Sequence, residues 1–259
     1  MEAVIEYVEE STQRVRNGIH RFMMDCGAEN QNRWFDSLIL PVDIAEGLLC
    51  KVIESRSSPH VREIGDFVVA SLITRYLFEL TANVSVMLNS ETEALRMERQ
   101  DAWLRMKDMD VIGESYAVPY GNMSKRSQKR ILKDEGRIKK IKGLKQKRQE
   151  HSIDSEYSIP ISEAAFLFED PWGLSVAKKL RYMPLDNAER FLEQWKIYSH
   201  ISHASAFSLT PTWMEPVPVN DAVQAYGVLL SVVSNYVGID FSAKKFIDDF
   251  FCLIYPKRE

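Results

Sequence analysis

The chain of 259 residues has only three cysteines, Cys26, Cys50 and Cys252, and no two of them stand at C-x-x-C spacing. That argues against a zinc site or a disulfide framework and fits a reducing compartment, so a cytoplasmic location is expected. The opening MEAVIEYVEE is acidic rather than basic-then-apolar, so no secretory leader is expected. P-loop, G-x-G-x-x-G and kinase signatures are missing, as are a G-x-S-x-G elbow and an H-E-x-x-H pair. No stretch of useful length alternates apolar with polar residues, which removes the usual signal of a half-buried sheet. No internal repeat is visible. One apolar run, residues 67–88, is long enough to cross a bilayer. Arg75 and Glu79 stand at its centre, where each would cost about 3 kcal/mol on an insertion scale. A buried core helix is therefore expected, and no membrane partner.

What the chain does have is helical periodicity. Val4, Val8, Val15, Ile19 and Phe22 predict an amphipathic helix over residues 1–25, stopped by Gly27. Trp34, Leu38, Ala45, Leu48 and Val52 continue the same period through Pro41, which predicts a kink or two abutting helices with Pro41 opening the second. Further helices are expected over residues 61–89, 91–116, 186–207, after Asn220 and after Ser242, with Asn220 and Ser242 as caps. A short one begins at Asp170-Pro171, and residues 210–219, with Pro211, Pro216 and Pro218, are expected to be extended. The sum is an all-α protein: one bundle of about eight helices with a basic inserted segment. Residues 1–121 supply its N-terminal helices, 122–151 the insert or linker, and 152–259 the helices that complete it. An exposed apolar stripe on residues 1–25 would allow a homodimer.

The insert concentrates charge. Residues 122–151 hold twelve basic side chains, Lys125, Arg126, Lys129, Arg130, Lys133, Arg137, Lys139, Lys140, Lys142, Lys145, Lys147 and Arg148, against Asp134, Glu135 and Glu150. The segment carries +9, so the rest carries −13 to give the formal −4 of the whole. Such a run binds phosphate backbones through counterion release, or serves as a solvated or partner-binding face. It has none of the aromatic interleaving of a stacking platform.

Two patterns carry candidate chemistry. In residues 186–207, Ser199 and His203 stand at i, i+4, with His200 between them. A His near neutral pH can act as a base, and a stacked Ser–His pair resembles a nucleophile with its base. A structural contact between helices is the plainer reading, and no metal is expected from two His alone. In residues 61–89, Ser71, Arg75, Glu79 and Asn83 follow one another at i+4 and form one polar stripe on an apolar helix. If that stripe faces inward, Arg75 and Glu79 must pair and find further hydrogen bonds. The expected facing element is the helix of Ser199 and His203, which would bring Arg75, Glu79 and His203 into one cleft. Arg14 and His20 also match an R-x4–6-H ribonuclease spacing, a match short enough to arise by chance.

Arg75, Phe78 and Glu79 resemble the R-x-x-F-E entry of bacterial all-helical domains of unknown function. Ala177, Lys178 and Leu180, followed by Tyr198, Ser199 and His203, resemble the same family's A-K-x-L and Y…S…H ending. The resemblance spans residues 61–238 without the basic insert. Such domains are distantly similar to the higher-eukaryote and prokaryote nucleotide-binding (HEPN-like) helical domains and to abortive-infection proteins of phage defence. The resemblance implies an antiviral role, RNA or nucleotide as ligand, and, for an enzyme, metal-independent ribonuclease chemistry without a cofactor. His203 would then be the base, with His200 and Ser199 beside it. Glu79 would orient it, and Arg75 and Lys196 would hold phosphate. The chain departs from the ribonuclease pattern, because Lys196 rather than Arg lies ahead of His203. A Lys lacks the guanidinium fork. The alternative implied is a non-catalytic nucleic-acid- or protein-binding module, or a regulatory subunit, that works through Lys125–Arg148.

Overall fold

Val4, Val8, Val15 and Ile19 lie on one face at helical spacing and are all buried, which fixes helix α1, Glu2–Asp25. Gly27 follows with φ 83°, a left-handed conformation that glycine adopts without a Cβ penalty. The computed structural model describes residues 2–27, 31–57, 64–112, 117–119, 158–160, 174–184, 188–202 and 217–255. After α1 come α2 (Gln31–Trp34), a π-helical turn (Phe35–Ile39) and α3 (Leu40–Ser57), which run on without a break. The expected kink at Pro41 is thus met by a π turn. Its wider winding lets the Leu40 N–H reach the Phe35 carbonyl just where Pro41 has no N–H to give.

The remaining helices are α4 (Ile64–Leu88), α5 (Glu93–Ile112), α6 (Val176–Leu180), α7 (Ala188–Ser202), α8 (Val217–Tyr236) and α9 (Ala243–Ile254). With α2 through α3 taken as one run, the described residues hold eight helical segments, and the protein is all-α as expected. Two strands of three residues each, β1 (Ala117–Pro119) and β2 (Ser158–Pro160), pair antiparallel with Val118 opposite Ile159. Ser242 caps α9, accepting from the Lys245 N–H at 3.2 Å. Asn220 is not a cap. Helix α8 begins at Val217 and takes Pro218 into its first turn, where an N–H has no intrahelical partner to lose. Residues 217–219 are therefore helical rather than extended, and residues 210–216 lie outside the described set.

The chain divides into two units. Residues 91–175 form one, with α5, β1 and β2. Residues 1–90 and 176–259 form the other, with the remaining helices. In this larger unit α8 is the axis, with Ala222, Val223, Ala225, Tyr226, Leu229, Leu230 and Val233 fully buried. It packs against α4 most extensively, then α3, α9 and α1. The Thr74 hydroxyl donates to the Pro218 carbonyl (3.1 Å) and the Thr81 hydroxyl to the Ala225 carbonyl (3.2 Å). Both pairs advance by seven residues, so α4 and α8 run in the same direction, close enough for a hydroxyl to reach a neighbouring backbone. At the far end Gly18 of α1 leaves room for Ile239, whose Cδ1 would sit 1.6 Å from an added Cβ. Helix α4 is long and apolar enough to cross a membrane, and half of that stretch is buried within the chain.

Candidate functional site

The polar stripe of α4 lies where α6 and α7 cross it. Ser71, at its upper end, is fully buried. One turn on, the Arg75 Nε donates to the Glu79 Oε1 at 3.1 Å, and both side chains remain partly exposed, 25% and 34%. The same Glu79 oxygen accepts the indole N–H of Trp195 from α7 at 2.9 Å. The Arg75 guanidinium carbon stands 5.5 Å from the Trp195 ring centre, a cation–π distance. Cation, ring and carboxylate are thus locked pairwise. Another turn along, Asn83 accepts from the Lys179 ammonium of α6 at 2.9 Å. Lys179 is itself buried.

Beneath this seam sits an aromatic wedge. Phe78 meets Phe191 edge-on at 5.1 Å and lies 5.9 Å from Tyr198, both on α7. The Tyr198 hydroxyl crosses to α8 and donates to the Asp221 Oδ2 at 2.7 Å, while the Arg190 Nη2 stands 4.0 Å from the other carboxylate oxygen. Asp221 is 2% exposed and Arg190 55%. Burial pushes the Asp221 carboxyl up to about 6, against the opposing pull of the Tyr198 hydrogen bond and the Arg190 charge. Burial first, and then the Asp221 charge, push the Tyr198 phenol far above its ordinary value.

The expected site residues are distributed as follows. Arg75 and Glu79 are paired and face α7, as the stripe suggested. Their contact on α7 is Trp195. Ser199 lies one turn beyond Trp195 on the same side and is half-buried. Lys196 and His200 are exposed. His203 lies outside the described residues, as do Lys125, Arg126, Lys129, Arg130, Arg137, Lys139 and Lys140. Among the described residues no three His, Cys, Asp or Glu side chains gather as a metal site would require. The sequence reading did not name Trp195 as a polar partner, nor Lys179, nor the Tyr198–Asp221 pair with Arg190. A signal for the last was present: Asp221 interrupts an otherwise apolar helix face of Ala222, Ala225, Val228 and Leu229.

The fold and these contacts define an all-α protein in which α7 carries two polar seams, a half-open one on α4 and a closed one on α8. Comparison with protein-family models, curated proteins and solved structures gave no match.

Proposed function

We propose that this chain is a helical RNA-binding protein of the prokaryotic antiviral-defence, abortive-infection type, and that its function is binding rather than cleavage. The observation that carries this reading is the Arg75–Trp195 pair anchored by Glu79. A cation and an aromatic ring, held together in a half-exposed seam, can grip a phosphate and pack against a base. The surrounding sequence favours an anionic ligand, since residues 176–202 hold Lys178, Lys179, Arg181, Arg190 and Lys196 against Asp186, Glu189 and Glu193. The +9 of residues 122–151 adds sequence-independent attraction.

Binding is preferred to hydrolysis for two reasons. Both donors to Glu79 hold its charge in place, which suits a positioning carboxylate better than a proton shuttle. His200 is exposed and turns away from Trp195, since the two are five residues apart on one helix. The test is affinity for a labelled RNA at rising salt, with a cleavage assay on the same samples. Binding should fall by ~10³-fold or more between about 50 and 200 mM salt. Arg75→Ala should weaken it about tenfold, the loss expected of one charge-assisted contact. Salt-independent or absent binding would overturn the reading, and RNA cleavage abolished by Glu79→Gln would replace it with an enzyme.

A further inference from the structure

Helix α7 packs on α4 and, less, on α6. Phe191, Tyr198 and Ile201 are buried, while Glu189, Arg190, Glu193, Lys196 and His200 are exposed. Among the described residues the enclosed charge it meets is Asp221, through the Tyr198 hydroxyl and, at 4.0 Å, Arg190. We propose that α7 is a proton-linked flap: protonation of Asp221 favours the helix docked on α4 with Tyr198 against Asp221, and ionisation of Asp221 at neutral pH favours its release.

The geometry supplies the reason. A buried carboxylate is stable when several donors converge on it. Among the described residues Asp221 has one hydrogen bond, from Tyr198, and an ion pair stretched to 4.0 Å with a guanidinium that is itself mostly in water. Among the described residues nothing else charged answers it. From α7 it is faced by Tyr198 and Arg190. From α4 the side chain bonded at this end of α8 is the neutral Thr74 hydroxyl, while Arg75 and Glu79 engage each other and Trp195. The α1–α3 ion set of Arg16 with Asp43 and Glu46 lies at the level of Tyr226 instead. On α9, Lys245 and Asp249 pair with each other beside Tyr7. The neutral acid suits such a place better than the ion, because it keeps an acceptor for Tyr198 and sheds the desolvated charge.

The sign follows from linkage. With α7 docked, the Asp221 carboxyl titrates near 6; with α7 lifted and the group in water, it titrates near the ordinary 3.8. Between those values each pH unit multiplies the open-to-docked ratio tenfold, so the ratio rises about 100-fold from mildly acid to neutral pH. A lifted α7 uncovers Phe78 and the Arg75–Glu79 pair of α4.

Amide hydrogen exchange on the full chain between about pH 4 and 7.5, corrected for intrinsic exchange chemistry, reads this ratio directly. The expected result is a rise of about 100-fold in the opening constant of residues 190–202, at a lower opening free energy than that of α1 and α3, and no such rise in Asp221→Asn. A flat profile in the wild-type chain, an equal rise in Asp221→Asn, or opening of residues 190–202 only together with α1 and α3, at the same free energy, would overturn the proposal. Tyr198→Phe keeps the test open should Asp221→Asn fold poorly. It removes the one hydrogen bond that favours the ionised form, so the upper end of the rise must move to higher pH. An unmoved profile in Tyr198→Phe also counts against the flap.

Discussion

Two acidic side chains meet α7, and they are unlike. Glu79 on α4 is 34% exposed and takes two donors on one oxygen, from Arg75 and Trp195. Asp221 on α8 is 2% exposed and takes one, with its cation 4.0 Å away. Both reach the same helix, and they do so at the level of one aromatic, Phe78, which touches Phe191 and Tyr198. Access of water, not the number of polar contacts, ranks the two seams. At the open seam water shares the cost of the charge and the pair contributes little to stability. At the closed seam the charge is enclosed, and the fold's stability becomes tied to pH.

Breaking what the seams share should have the largest effect. Phe78→Ala empties the wedge beneath both, and denaturant unfolding should show a loss of about 3–5 kcal/mol. Sharpening the contrast comes next. Asp221→Asn keeps an acceptor for Tyr198 and removes the enclosed charge. Because burial raises the carboxyl from 3.8 to about 6, its favourable contribution is fully present below about pH 4 and is lost as pH rises through 6. The variant should therefore be more stable than the wild type at pH 7 by up to about 3 kcal/mol, with the gap closing below pH 4. Equal stabilities at pH 7 would show that Asp221 is better compensated than its contacts indicate.

At the open seam Trp195→Phe keeps the packing and loses the indole N–H. Stability should drop by about 1 kcal/mol, and the drop should persist at high salt because the bond is partly enclosed. The smallest effect belongs to Arg75→Gln, about 0.5 kcal/mol, shrinking further as salt screens the pair. Thermal unfolding at two ionic strengths separates these last two, and a salt-sensitive Trp195→Phe would erase the distinction drawn between them.

The helices were legible because their causes are local. The spacing of Val4, Val8, Val15 and Ile19 sets α1, Gly27 closes it, and Ser242 caps α9, all within a few residues of one another. The stripe from Ser71 to Asn83 was legible for the same reason. Its partner was not. Trp195 counts as apolar in any periodicity and fell on the buried face of α7, whereas its N–H is what reaches Glu79. Which helix crosses α4, and at which residue, depends on packing between segments more than a hundred positions apart. Asp221 was hidden by a boundary. With Asn220 read as a cap, the next residue looked like an ordinary acid in a first turn. Helix α8 instead starts at Val217, and that places Asp221 one turn in, on the face that Tyr198 covers. The Pro41 region shows the opposite case: the disturbance was readable, but its form as a π turn depended on the backbone geometry of Phe35–Ile39.

Asp221 is an enclosed carboxyl, raised by burial to about 6. Its side-chain carbon can be followed by NMR through a pH titration of the folded chain, with Asp221→Asn identifying the resonance. A midpoint close to 6, higher in Tyr198→Phe, is the predicted result. A midpoint at the ordinary aspartate value of about 4 would mean that water reaches the carboxylate, and the contrast between the two seams of α7 would fail.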